Sequence, residues 1–192
     1  HLYEDVFAGV DAIATVIAIE NLDSDSMEEF DDSSSSRGRH IYSGIDIDGE
    51  SGFVKYRIDF VAADTTNAVT LQNISITVAD IDDSQYAQFS GISAYELSED
   101  SELTVTSVAG NYEFKEPLGD GASYDDEENW AKVEYAEASS IVVTLGARNG
   151  GGDASWGVSF DDSEWGETPN RVTIAPTAYN LTYDDNDATS GS

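Results

Sequence analysis

Asp80 and Asp82 follow directly on the alternating run Ile74-Ser-Ile-Thr-Val78. Continuing that alternation sets both carboxylates on the face that carries Ile74, Ile76 and Val78, at the rim of a core. Two carboxylates so placed either share a proton, because desolvation and mutual repulsion favour the neutral form, or hold a cation between them. The chain has 8 Lys and Arg against 39 Asp and Glu, a formal net charge of −31, so a metal ion is the readier partner. Calcium suits the site as a hard cation that takes roughly six to eight oxygen ligands. Trp156, Val158 and Phe160 set the same inward parity on another run, and Asp162 continues it. If the two runs face each other from opposite sheets, Asp80, Asp82 and Asp162 share one ion.

Other segments offer oxygen as well. Asp120-Gly-Ala-Ser-Tyr-Asp-Asp-Glu-Glu128 is a glycine-bent acidic loop, equally readable as a ligand supply or as a solvated surface. Asp46-Ile-Asp-Gly-Glu50 starts like an EF-hand loop but then departs from it. Ser51 stands where the loop needs glycine and Arg57 where it needs glutamate, which leaves a calcium site of another geometry at Asp46, Asp48 and Glu50. In Arg148-Asn-Gly-Gly-Gly-Asp-Ala-Ser-Trp156, three glycines bare backbone N–H groups beside one of the few cations. That combination receives a carboxylate, bidentate at Arg148 and nested on the backbone, or else it is a flexible hairpin with Arg148 paired to a nearby acid. Trp130, Trp156 and Trp165 could stack a sugar, although Trp156 lies on the inward parity.

The elements that must position these groups read in period two. Val54, Tyr56, Ile58 and Phe60 alternate with Lys55, Arg57 and Asp59. The same pattern recurs at Ile74–Val78, Ala131–Tyr135, Ile141–Leu145 and Trp156–Phe160, with shorter runs at Ile92–Leu97, Leu103–Val108 and Arg171–Ile174, and a strand at Ala14–Glu20. Asn21–Asp48, Glu116–Asn129 and Arg148–Ser155 read as loops. The expectation is an all-β fold: an antiparallel β-sandwich, jelly-roll or Ig-like, with calcium-binding loops. One domain spans residues 1–182, and 183–192 form a linker or disordered tail.

Composition narrows the function. A hydrophobic share of 40% provides a core, so the acidity is not that of a disordered chain. Nucleic acid and anionic membrane surfaces are excluded as partners by charge, and no apolar run is long enough for membrane insertion by a helix. Without cysteine there are no disulfides or thiolate sites. The two histidines and the lack of a nucleophile elbow argue against an enzyme. A halophile's solvated acidic coat would account for the same charge totals as calcium binding.

The order of these segments is informative: Asp80-Ile-Asp82, Ile92-Ser-Ala-Tyr-Glu-Leu97, the acidic loop before Asn129-Trp130, Ile141–Leu145, Asn149-Gly-Gly-Gly-Asp153 and Ser159-Phe-Asp-Asp162. It resembles the calcium-dependent peptide-binding (ligand-binding) domain of large bacterial RTX adhesins, over about residues 5 to 175. The resemblance implies a module of a larger secreted adhesin at the cell surface, monomeric as an isolated domain, with several Ca2+ ions and a role in cell adhesion and biofilm formation. Such a module grips the C-terminal peptide of a surface protein on another cell, with a calcium ion meeting the terminal carboxylate. Carried onto this chain, the ion ligands are Asp80, Asp82 and Asp162, then Asp125, Asp126 and Asp153. Arg148, Asn149, Gly150, Gly151 and Gly152 line the pocket. A glycan-binding module and a ligand-free extender of the adhesin stalk are the alternatives.

Overall fold

The structure, a computed structural model, describes residues 1–22, 40–47, 51–117, 126–148, 152–160 and 165–175, with backbone alone at 40–43 and 152–153. It is nearly all strand, in two antiparallel sheets packed face to face. The strands are β1 (Leu2–Phe7), β2 (Val10–Glu20), β3 (His40–Ile47), β4 (Ser51–Ala62), β5 (Leu71–Ala79), β6 (Gln85–Ser90), β7 (Ala94–Leu97), β8 (Thr104–Val108), β9 (Asn111–Lys115), β10 (Ala131–Ala138), β11 (Ser140–Arg148), β12 (Gly152–Ser159) and β13 (Asn170–Thr173). The seven-stranded sheet runs β1-β2-β4-β11-β6-β9-β8, and the six-stranded sheet runs β13-β7-β10-β5-β12-β3.

The period-two readings become the inner faces of the sheets. Val54, Tyr56, Ile58 and Phe60 of β4 are buried, as are Ile141, Val143 and Leu145 of β11. From the other sheet come Ile74, Ile76 and Val78 of β5, Val133 and Tyr135 of β10, and Trp156 and Val158 of β12, continued by Phe160. These residues join in one continuous apolar cluster. Phe7, Phe60 and Phe160 meet edge to face at its margin, with centroids 6.0 to 6.2 Å apart, a geometry that suits the ring quadrupoles. Asp11, itself buried, accepts the backbone N–H of Asp5 at 2.9 Å and of Asp64 at 3.0 Å. It thereby fixes two left-handed residues, φ 60° and 59°, one within β1 where its register with β2 shifts and one in the turn after β4.

Four sequence expectations change. Residues 152–155, inside the Arg148–Ser155 stretch read as a loop, open β12. Residues 40–47, inside the stretch read as loop, form β3, because Ile45 and Ile47 supply buried alternation opposite β12. The strand at Ala14–Glu20 begins earlier, at Val10. The strands leading to Asp80 and Asp162 lie in one sheet rather than two: β12 pairs antiparallel with β5, Gly157 opposite Ala79 and Ser159 opposite Thr77. β12 therefore runs away from the tip that carries Asp80.

Candidate cation site at the acidic end of the sandwich

At one end of the sandwich the chain passes from sheet to sheet five times, after Ile47, Ala79, Leu97, Lys115 and Arg148. The sequences that follow those strand ends include Asp48, Glu50, Asp80, Asp82, Asp83, Glu99, Asp100, Glu102, Glu116 and the 120–128 acids, without a single Lys or Arg. The crossings at the other end follow Ala62, Ser90 and Ala138, and their connecting sequences hold one charge, Asp64. Among the described residues, topology thus gathers Asp80, Asp82, Asp83, Glu99, Asp100, Glu102, Glu116 and Asp126 at one rim, though they are dispersed along the chain.

The tightest part of the rim is 80–85. Asp80 ends β5 by turning left-handed, φ 66°, and Asp83 and Ser84 follow at 41° and 69°; Asp is among the few side chains that tolerate this region. The backbone is pinned by Ile81 N–H donating to the Asn129 carbonyl at 3.2 Å, Gln85 N–H donating to the Asp82 carbonyl at 2.6 Å and Arg148 N–H donating to the Ser84 carbonyl at 3.1 Å. Asp82 is buried, and its Oδ1 accepts from Gln85 Nε2 at 2.9 Å. Asp80 Oδ2 accepts from Ser155 Oγ at 3.2 Å. Burial, and after it the charge of Asp82, push the Asp80 carboxyl up to about 6 against the Ser155 hydrogen bond, with Asp126 adding in the same direction. Asp80, Asp82 and Asp126 therefore share one electrostatic neighbourhood.

Three residues not singled out in the sequence complete it. Glu116 is fully buried, with Oε2 3.4 Å from the Ser84 N–H. Gln85 and Asn129 are buried, and their side-chain oxygens, Oε1 and Oδ1, have no hydrogen-bond partner among the described residues. A buried carbonyl oxygen left without a donor is costly, and a hard cation satisfies it directly. The donor set is oxygen throughout, which fits Ca2+ better than a softer metal. Among the described residues no group of three or more acidic or histidine side chains closes into a metal cage, so the amide oxygens matter to the fit.

The remaining sequence candidates fall into separate places. Asp46 is half-buried on β3, directly opposite Asp153 of β12. Gly152 opens β12, opposite Ile47. Asp48, Asp125, Asn149, Gly150, Gly151 and Asp162 lie outside the described residues, as does the tail 183–192. Arg148 reaches the rim but is engaged: Nη1 and Nη2 donate to Glu113 Oε1 and Oε2 at 2.6 and 2.7 Å, and the guanidinium lies 4.4 Å from the centre of the Tyr86 ring. Of the two sequence readings of Arg148, the structure shows the pairing with a nearby acid. Trp156 is a correction. Its side chain is fully buried in the core, so it offers no face to a ligand. Trp130 and Trp165 do come together, 6.0 Å between ring centroids.

No protein-family model matches the chain, and no curated protein is significantly similar to it.

Proposed function

We propose that the chain is a calcium-dependent ligand-binding module of a bacterial surface adhesin, in which an ion at the acidic rim keeps a coordination position open for the terminal carboxylate of a target protein's C-terminal peptide. One observation carries this reading: the rim combines Asp80 and Asp82 with buried amide oxygens of Gln85 and Asn129 that have no donor among the described residues. Such a site favours a cation. In a molecule of net charge −31, an anionic guest is attracted only where local positive charge overrides the general field, and a partly uncovered divalent ion supplies it. Arg148, held by Glu113, serves in this reading as a wall of the rim while calcium meets the carboxylate.

The test is binding to a peptide array with free C-termini, in calcium and in EGTA, beside a glycan array. Calcium-dependent capture of peptides that is lost on C-terminal amidation is the expected result. Capture of glycans alone would replace the reading with a carbohydrate-binding module. Silence on both arrays, with calcium bound, would leave a stalk extender.

A further inference from the structure

The two sheets end in four strands, β1 and β8 in one and β13 and β3 in the other. An end strand with free N–H and C=O groups is a template for any extended chain it meets, and native edges are blunted by charge, proline or irregularity. β1 carries Glu4, Asp5 and a register shift. β3 carries Asp46 and meets Leu22 in a bridge at Ile47. β13 carries Arg171. β8, Thr104-Val-Thr-Ser-Val108, has no charge, no proline and no shift in its register with β9. Four of its five residues are exposed, Val108 by 73%.

The hairpin fixes which backbone groups face out. Ala109 and Gly110 are both left-handed, φ 53° and 80°, a two-residue turn that makes Val108 and Asn111 a hydrogen-bonded pair. Alternation along an antiparallel ladder then gives the Thr106–Glu113 and Thr104–Lys115 pairs the bonds between β8 and β9, and turns the N–H and C=O of Val105 and Ser107 outward. No described strand receives them. The same margin offers side-chain contacts. Val105, Tyr112, Tyr95, Leu97 and Ile174 are only partly buried against the core, and the Tyr95 and Tyr112 rings from the two sheets meet with centroids 6.3 Å apart. Alternate apolar side chains of an incoming strand have that seam to cover.

Charge selects the occupant. Glu99, Asp100 and Glu102, which lead into β8, are all exposed, and no described lysine or arginine is in ion-pair contact with them. A second copy of this chain would bring a charge of −31 against an equal one, so self-pairing is opposed. A cationic strand gains where the copy loses. We infer that β8 is a β-augmentation edge for a partner polypeptide, whose extended segment, apolar at alternate positions and basic at the end that reaches Glu102, pairs antiparallel with Thr104–Val108. The segment is held through its main chain, so it needs neither a free terminus nor a cation at the acidic rim.

The probe is an acetylated and amidated peptide, Thr-Val-Thr-Val-Thr-Lys-Lys, and the measurement is amide hydrogen exchange of the calcium-loaded protein by NMR. In the free protein the Val105 and Ser107 amides should exchange fast and those of Thr106 and Val108 slowly; the peptide should slow Val105 and Ser107 roughly tenfold or more. Methylating alternate peptide nitrogens should abolish binding for one set and spare it for the other, because only every second amide of a strand faces its neighbour. Ser107→Pro removes an outward donor and leaves the β8–β9 ladder intact, so it should weaken the peptide roughly tenfold with an unchanged melting temperature. Replacing the two lysines by glutamates should abolish binding at low salt. The inference is overturned if the peptide leaves Val105 and Ser107 exchanging as before, if both methylated sets bind alike, or if raising the protein concentration by itself protects those amides, which would make a second copy the occupant. The probe has no free carboxylate, so none of these outcomes bears on calcium capture at the rim.

Discussion

Glu113 illustrates how a single carboxylate is tuned here. Burial pushes its pKa up, but hydrogen bonds from Arg148 and Gln88, with the Arg148 charge, outweigh burial and hold the carboxyl below its ordinary 4.5. The unfolded chain therefore takes up the proton first as pH falls. The stability this pair contributes is complete above about pH 4.5 and is lost as pH drops through the lower folded value. Glu113→Gln should accordingly melt below the parent at neutral pH, and the gap should narrow in thermal melts below pH 4.5. A gap of equal size at every pH would mean that the pair matters by shape alone. At the rim, Asp80→Asn with Asp82→Asn should lower the calcium stoichiometry or affinity seen by isothermal titration calorimetry, and an unaltered isotherm would place the ion elsewhere. Glu116 was within reach of the sequence, since it continues the inward parity of Phe114, whereas the alternation set by Val78 stops short of Asp80, which turns left-handed so that Ile81 enters the core. Gln85 and Asn129 were not, because an amide amid acids carries no periodic signal.

Strands differ in how far their letters reveal them. β4 is written plainly: Val54, Tyr56, Ile58 and Phe60 all point inward. β3 is obscured because Asp46-Ile-Asp-Gly imitates the start of a calcium loop, although Ile45 and Ile47 carry the alternation that buries them. Partner choice is harder still, since alternation fixes faces but leaves the neighbour open. Among the described strands, only β1 with β2 and β8 with β9 pair as hairpins. Gly146 shows how tight the central pairing is. A Cβ there would meet Tyr86 Cζ and Oη and the Gly52 carbonyl, each at 2.6 Å. Gly146→Ala should therefore cost about 1–3 kcal/mol by overpacking and displace the Tyr86 ring from under Arg148, visible as a shifted Tyr86 spin system. Trp156→Ala, which empties a fully buried site, should cost about 3–5 kcal/mol in denaturant unfolding.

For the molecule as a whole, self-repulsion at −31 opposes the compact state, and ions bound at the acidic end would offset it. Chelation should then lower the melting temperature by several degrees or more, because binding to the native state alone is linked to its stability. An equal melt in EGTA would favour the solvated acidic coat. Among the described residues, the sheet crossings after Ala79, Leu97 and Lys115 are acid-rich and those after Ala62, Ser90 and Ala138 nearly uncharged, a segregation that emerges only once the strands are stacked. The scarcity of hairpins has its own outcome. β4 waits for β11, and β5 for both β10 and β12, so no contiguous half of the polypeptide holds a finished sheet. Severed between β9 and β10, the chain should yield two pieces that are each unstructured alone yet reconstitute by mutual templating when mixed.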